Sequence, residues 1–171
     1  PERRQERVTD LLSESSNKEY EERERSVRTT RGTIDPSLWL REQYTNYDGQ
    51  MVCQICKKEM PFKKLDGEYY FEAVEAFTKD ILPKEHEAQF LALCPLCAAM
   101  YKELVKKDEA AMADLRKALL NMDSLDAPLR LGELETTIQF VETHLCDVKT
   151  ILEEMGRIGG LALEGNTGEK A

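Results

Sequence analysis

The chain has 171 residues, 33% of them charged, with 33 acidic against 24 basic side chains and a net charge of −9. That size suits one ordinary domain or two small ones, and the acidity works against a broad phosphate-neutralising surface. No apolar run approaches the roughly 18 residues a membrane span needs, and no signal-peptide pattern follows Pro1.

A first residue of proline rather than methionine fits a piece of a longer protein. Residues 1–34 are nearly all charged or small, so this segment is expected to be extended or partly helical. Val8, Leu11 and Leu12 suit one short amphipathic turn. Arg23, Arg25, Arg28 and Arg31 are interleaved with glutamates, which favours a solvated or partner-facing segment over a nucleic-acid contact.

Residues 35–121 read as a zinc domain. "DPSLWLREQY" predicts a short helix, with Asp35 as its cap, Pro36 at the first helical position and Trp39 as its anchor to the core. Asp48-Gly49 marks a turn. The first cysteine pair follows in "VCQICKKEM". Lys57, Lys58, Lys63 and Lys64 then form a local basic patch, either a solvated turn or a nucleic-acid contact. Asp66-Gly67 signals a hairpin, and Tyr69, Tyr70 and Phe71 favour a strand. "AFTKDILPKEHEAQF" reads as a loop or short helix broken at Pro83. From Cys94 the pattern predicts one long helix to about Asn121.

Residues 122–158 predict a ββα element packed on the zinc domain. It has two short strands around Gly132, then a helix that Thr143 is placed to cap, with Leu145, Val148, Ile151 and Leu152 as its apolar stripe. Cys146 and His144 are expected to pack in that helix. Residues 159–171 are Gly-rich and are expected to be a disordered tail.

Cys53, Cys56, Cys94 and Cys97 carry the chemistry. Structural zinc takes four ligands in a tetrahedron, and two CxxC pairs supply four thiolates. Such cysteine usage fits an intracellular, cytoplasmic metal site better than a disulfide framework. A redox dithiol would use one CxxC within an α/β pattern, and an iron–sulfur cluster is the other four-cysteine option. Cys94 followed by Pro95 opens a helix, whose N-terminus stabilises thiolate charge. A knuckle, a hairpin and a helix supplying the last two ligands make a treble-clef arrangement. The expected fold is therefore α+β, built on one structural Zn2+.

Across about residues 47–103, "CQIC … YYFEAVE … LALCPLCAAMYK" resembles the four-cysteine branch of the HNH nucleases. The resemblance implies the zinc ligands. It does not carry over the catalytic groups. Glu72 matches the family's glutamate and Gln89 falls at its asparagine position. Val74 and Glu75 stand where the histidine pair belongs, and Ala98 and Lys102 replace the later histidines. A nuclease of this kind needs an imidazole base and side chains that hold a catalytic metal. The chain also resembles C-terminal segments of large bacterial sacsin-like proteins with ATPase modules; no phosphate-binding glycine loop occurs here. His86 is in the wrong place to replace a lost histidine, and reads as a surface group.

Together these features imply a catalytically inactive HNH-like zinc module that contacts a protein partner or other domains of its parent chain. A nucleic-acid-binding module, or a nuclease with relocated groups, is the alternative. No small-molecule substrate and no membrane association is implied.

Overall fold

The computed structural model describes residues 2–14 and 35–168, with side chains in the last helix described as far as Ile158. The arginines at 23, 25, 28 and 31 lie outside the described residues. The chain divides into two units, residues 1–33 and 34–171.

In the first unit, α1 spans Glu2–Glu14, longer than the single turn expected. Its run of Glu, Arg, Gln and Leu consists of strong helix formers. Val8 and Leu11 are exposed.

The second unit opens with α2, Ser37–Tyr44, so Pro36 falls at the N-cap rather than at the first helical position expected of it. Asp35 Oδ1 accepts the Ser37 N–H at 3.0 Å, and this bond holds the Asp35 carboxyl below its usual value. Leu40 and Tyr44 point into the core. Arg41 pairs with Glu68 at 3.0 Å and stands over the Phe71 ring, tying α2 to the following loop.

The next strand starts later than propensity predicts. Tyr69 makes only an isolated bridge with Lys63, and β1 spans Glu72–Glu75. Residues 61–68 are exposed, so no sheet face is buried there to extend the pairing. β1 pairs antiparallel with β2, Phe90–Leu93, with Val74 opposite Leu91. The loop or short helix expected over residues 76–90 reaches only Phe90 of β2, and residues 91–93 carry no strand signal of their own. Leu91, Ala92 and Leu93 are all buried, so β2 lacks the alternation that marks a half-exposed strand. A one-turn 3-10 helix, Glu87–Gln89, leads into it.

The single long helix expected from Cys94 is two helices. α3 spans Pro95–Tyr101, a π-helical stretch covers Lys102–Lys106, and α4 spans Glu109–Asn121. The break falls where Asp108 starts a new helix. Its carboxylate accepts the N–H groups of Ala110 and Ala111 at 3.0 and 3.3 Å. The redirected α4 buries Met112, Leu115 and Leu119.

β3, Asp126–Leu131, and β4, Leu134–Gln139, form a second antiparallel pair. Gly132 turns between them at φ +61°, where an L side chain is strained. α5 spans Glu142–Gly168. It starts before Thr143, which is therefore not its cap, and it continues through the stretch expected to be a disordered tail. Leu161, Ala162, Leu163 and Glu164 favour helix strongly enough to offset the glycines. Cys146 is exposed rather than buried, because it lies off the stripe of Leu145, Val148 and Leu152. One core runs from Leu40 to Leu152, so residues 35–121 and 122–158 share it.

His144, fully buried, ties three elements of that core together. Its Nε2 lies 2.8 Å from the Ala88 carbonyl and its Nδ1 lies 2.5 Å from the Tyr44 hydroxyl. A carbonyl only accepts, so Nε2 carries the proton and Nδ1 accepts from Tyr44. The rings of Trp39 and Phe140 stand edge-on at 5.0 Å each. Burial in this apolar shell pushes the imidazole down to about 4.

Two outcomes follow from these contacts. Asp108→Ala is expected to lower stability by about 1 kcal/mol, read from the urea midpoint at unchanged m-value. His144 has a folded value below the ordinary 6.5, so the unfolded chain takes up its proton first. Its contribution is complete above pH 6.5 and is lost as pH falls toward 4, with a slope approaching 1.4 kcal/mol per pH unit, an order-of-magnitude figure. Urea unfolding across that window should show a shallower slope for His144→Gln than for the parent chain.

Candidate metal centre

The first pair of cysteines is held by a tight turn. The Lys57 N–H donates to the Cys53 carbonyl at 2.9 Å, and the Cys53 N–H donates to the Lys58 carbonyl at 3.0 Å. Lys57 closes this turn at φ +63°, a left-handed conformation that costs a non-glycine residue roughly 1–2 kcal/mol. A Val52–Glu59 bridge flanks the turn.

The second pair opens α3. Cys94 is the N-cap, its sulfur accepting the Cys97 N–H at 3.5 Å, with Pro95 in the first turn. The hairpin of β1 and β2 delivers Cys94 to this place, since β2 ends at Leu93.

The four sulfurs of Cys53, Cys56, Cys94 and Cys97 all lie within 4.8 Å of one another, and those of Cys56 and Cys94 are 4.0 Å apart. All four are free thiols; Cys53 and Cys97 are buried. Among the described residues this is the one cluster of potential metal ligands. Zn–S bonds of about 2.3 Å in a tetrahedron place sulfurs about 3.8 Å apart, which these positions meet to within an ångström. The residues therefore fit a four-coordinate metal ion.

The electrostatics point the same way. Burial pushes the Cys53 thiol up to about 11. Burial, then the charge on Cys53, raises Cys97 further. Burial also acts to raise Cys94, but the Cys97 N–H and the neighbouring thiols outweigh it and hold Cys94 below the ordinary thiol range. One thiolate forms readily; its neighbours resist a second negative charge at this distance. A divalent cation removes that penalty and drives deprotonation of the set.

The places where the resembling nucleases keep catalytic groups hold different chemistry. Val74 and Ala98 are buried in the core. Lys102 pairs with Glu72 at 3.3 Å. Glu72 and Glu75 are three residues apart on β1 and so point to opposite faces. Gln89 is buried and donates through Nε2 to the Lys84 carbonyl. The exposed His86 caps the 3-10 helix, its Nδ1 accepting the Ala88 N–H at 3.0 Å.

Lys57, Lys58, Lys63 and Lys64 are exposed, and three of them have local partners. Lys57 Nζ reaches Thr137 Oγ1 at 2.6 Å, Lys63 lies over the Tyr69 ring, and Lys64 meets Asp66 at 3.4 Å. Sequence reasoning passed over Gln54, a buried residue between the first two ligands. Nothing in its spacing marks it, because its partners lie 38 and 85 residues away.

The chain matches no family model, no curated protein and no solved structure.

Cobalt titration checks the site. The parent chain is expected to take up one equivalent and to show intense thiolate-to-metal charge-transfer absorption. Cys94→Ser should bind at least tenfold more weakly and lose about a quarter of that absorption, one thiolate of the four being replaced.

Proposed function

We propose that the chain is a zinc-stabilised, catalytically inactive module of a larger protein, serving protein contact or assembly. The observation that carries this reading is the convergence of four free thiols within 4.8 Å, drawn from two CxxC pairs, two of the thiols being buried. Zinc is the ion assigned, because it favours four thiolates in a closed tetrahedral site with no open position. A reducing compartment such as the cytoplasm keeps such thiols available.

The HNH-like, treble-clef assignment rests on the order of parts: a cysteine turn, the β1–β2 hairpin, then a helix carrying the last pair. Inactivity rests on the replacements. Buried Val74 and Ala98 provide neither a general base nor a ligand for a catalytic metal. Binding to nucleic acid is the weaker reading. It is supported by the exposed Phe62 ring, stacked on Tyr70 at 5.1 Å beside the lysines. Against it stand the local partners of Lys57, Lys63 and Lys64, and the acidic chain as a whole.

Elemental analysis should give one zinc per chain, and a chelator should lower the melting temperature by 10 °C or more, an order-of-magnitude figure for loss of a structural zinc. A metal-free chain with an unchanged melt would overturn the reading. No DNA or RNA cleavage is expected with magnesium or manganese, and no salt-dependent binding to either polymer.

A further inference from the structure

Gln54 lies between two of the cysteine ligands with 1% of its surface exposed. A buried primary amide needs partners for its oxygen and for its N–H groups. Its Oε1 accepts the Ala92 N–H at 2.8 Å, and its Nε2 donates to the Gln139 carbonyl at 3.0 Å. The Gln54 backbone contacts the same two residues. Its N–H donates to the Ala92 carbonyl at 3.0 Å, and its carbonyl accepts the Gln139 N–H at 2.8 Å. The amide has one orientation that works, because the Ala92 N–H only donates and the Gln139 carbonyl only accepts.

A single residue therefore bonds both backbone groups of Ala92 on β2 and both backbone groups of Gln139 on β4. Lys57, at the end of the same turn, adds a second grip on β4 through Thr137. The turn itself closes on a left-handed residue. Such a conformation persists only where its surroundings enforce it. Two backbone hydrogen bonds, Lys57 N–H to the Cys53 carbonyl and Cys53 N–H to the Lys58 carbonyl, close it, and a cation held by Cys53 and Cys56 would add to that enforcement.

We infer that the turn between Cys53 and Cys56 couples metal binding to docking of the β3–β4 hairpin, with Gln54 as the positioning residue. When the metal leaves, the turn relaxes and four hydrogen bonds lose alignment at once. All four bonds are made by Gln54, so a shift of that one residue disturbs them together. Two strands alone are marginal in water, and apart from these bonds the hairpin is held by the burial of Ala127, Leu129, Leu131 and Ile138 in the core. Metal loss thus loosens the β4 edge of the hairpin by local opening before the rest of the core unfolds. The coupling is reciprocal: weakening the grip of Gln54 also weakens metal binding. The inference rests on the zinc reading above.

Amide hydrogen exchange on the full chain, with zinc bound and after chelation, tests it. Chelation is expected to speed exchange across residues 134–139 by roughly 5- to 150-fold, the ordinary span of a coupling, and to change residues 40–42 of α2 far less. Gln54→Ala is expected to keep a stoichiometry of one zinc, bind it more weakly by a similar factor, and exchange fast at 134–139 even with zinc bound. Should Gln54→Ala fail to fold, Thr137→Ala removes only the outer contact and should shift both readouts in the same direction by less. Slow exchange at 134–139 in the chelated chain would overturn the coupling. So would a Gln54→Ala protein with parental affinity and parental exchange. A titration showing no zinc uptake fails the zinc reading itself and the coupling with it, and is distinguished from the other failures by its stoichiometry.

Discussion

Four thiols held within 4.8 Å of one another are an electrostatic problem that the fold alone does not solve. Each can shed its proton only if its neighbours do not, and burial makes every added negative charge more costly. The fold nonetheless brings the sulfurs together by two independent devices, a tight turn and a helix start. Those devices come from parts of the sequence 38 residues apart. The arrangement makes chemical sense once a cation completes it. The β1–β2 hairpin, the first turn of α3 and the turn around Lys57 are then parts of one chelate, and the rest of the unit packs on them.

A second fixed point lies in the same core. His144 joins α2, the 3-10 helix and α5 through two hydrogen bonds and two ring contacts. It has no role in ligating metal. Its neutral imidazole acts as a rigid two-ended connector, donating at one nitrogen and accepting at the other. Tyr44 is also within reach of the Val141 N–H at 3.4 Å, so the start of α5 is gripped at two places. The molecule is held by a charged centre and by a neutral buried relay, and these respond differently to acid. The first, with a metal bound, would release it as its thiolates are protonated. The second resists protonation until pH is far below the ordinary histidine range.

Much of the site could be read directly from the sequence, and the reasons are local. The ligands announce themselves by spacing, and Asp35, Asp48-Gly49 and Pro95 signal boundaries through backbone preferences that need no tertiary context. What stayed hidden depends on long-range packing. β2 is buried on both faces and so carries no alternation. The break at Asp108 was masked because α3 and α4 both carry helical periodicity, although Asp108 itself is a good cap signal. Cys146 looked apolar enough to bury, yet its angular position on α5 faces outward. Gln54 is the clearest case. It is a polar residue in a polar turn, and its importance lies wholly in partners that the sequence does not place beside it.

The tie between Tyr44 and His144 spans 100 residues, and that between Gln54 and Gln139 spans 85. Contacts of such separation impose an order on folding, because the loops that close them must be drawn in before the contacts return any stability. The cysteine pairs are nearer in sequence and both precede residue 98, so during synthesis the chelate can form while the strands and helix that cover it are still to come. The buried relay at His144 cannot. A chain emerging N-terminus first therefore passes through a stage in which Tyr44, Trp39 and Ala88 face solvent without their partner. Its vulnerable interval is set by how long the residues between Cys97 and His144 take to arrive, rather than by how fast the metal binds.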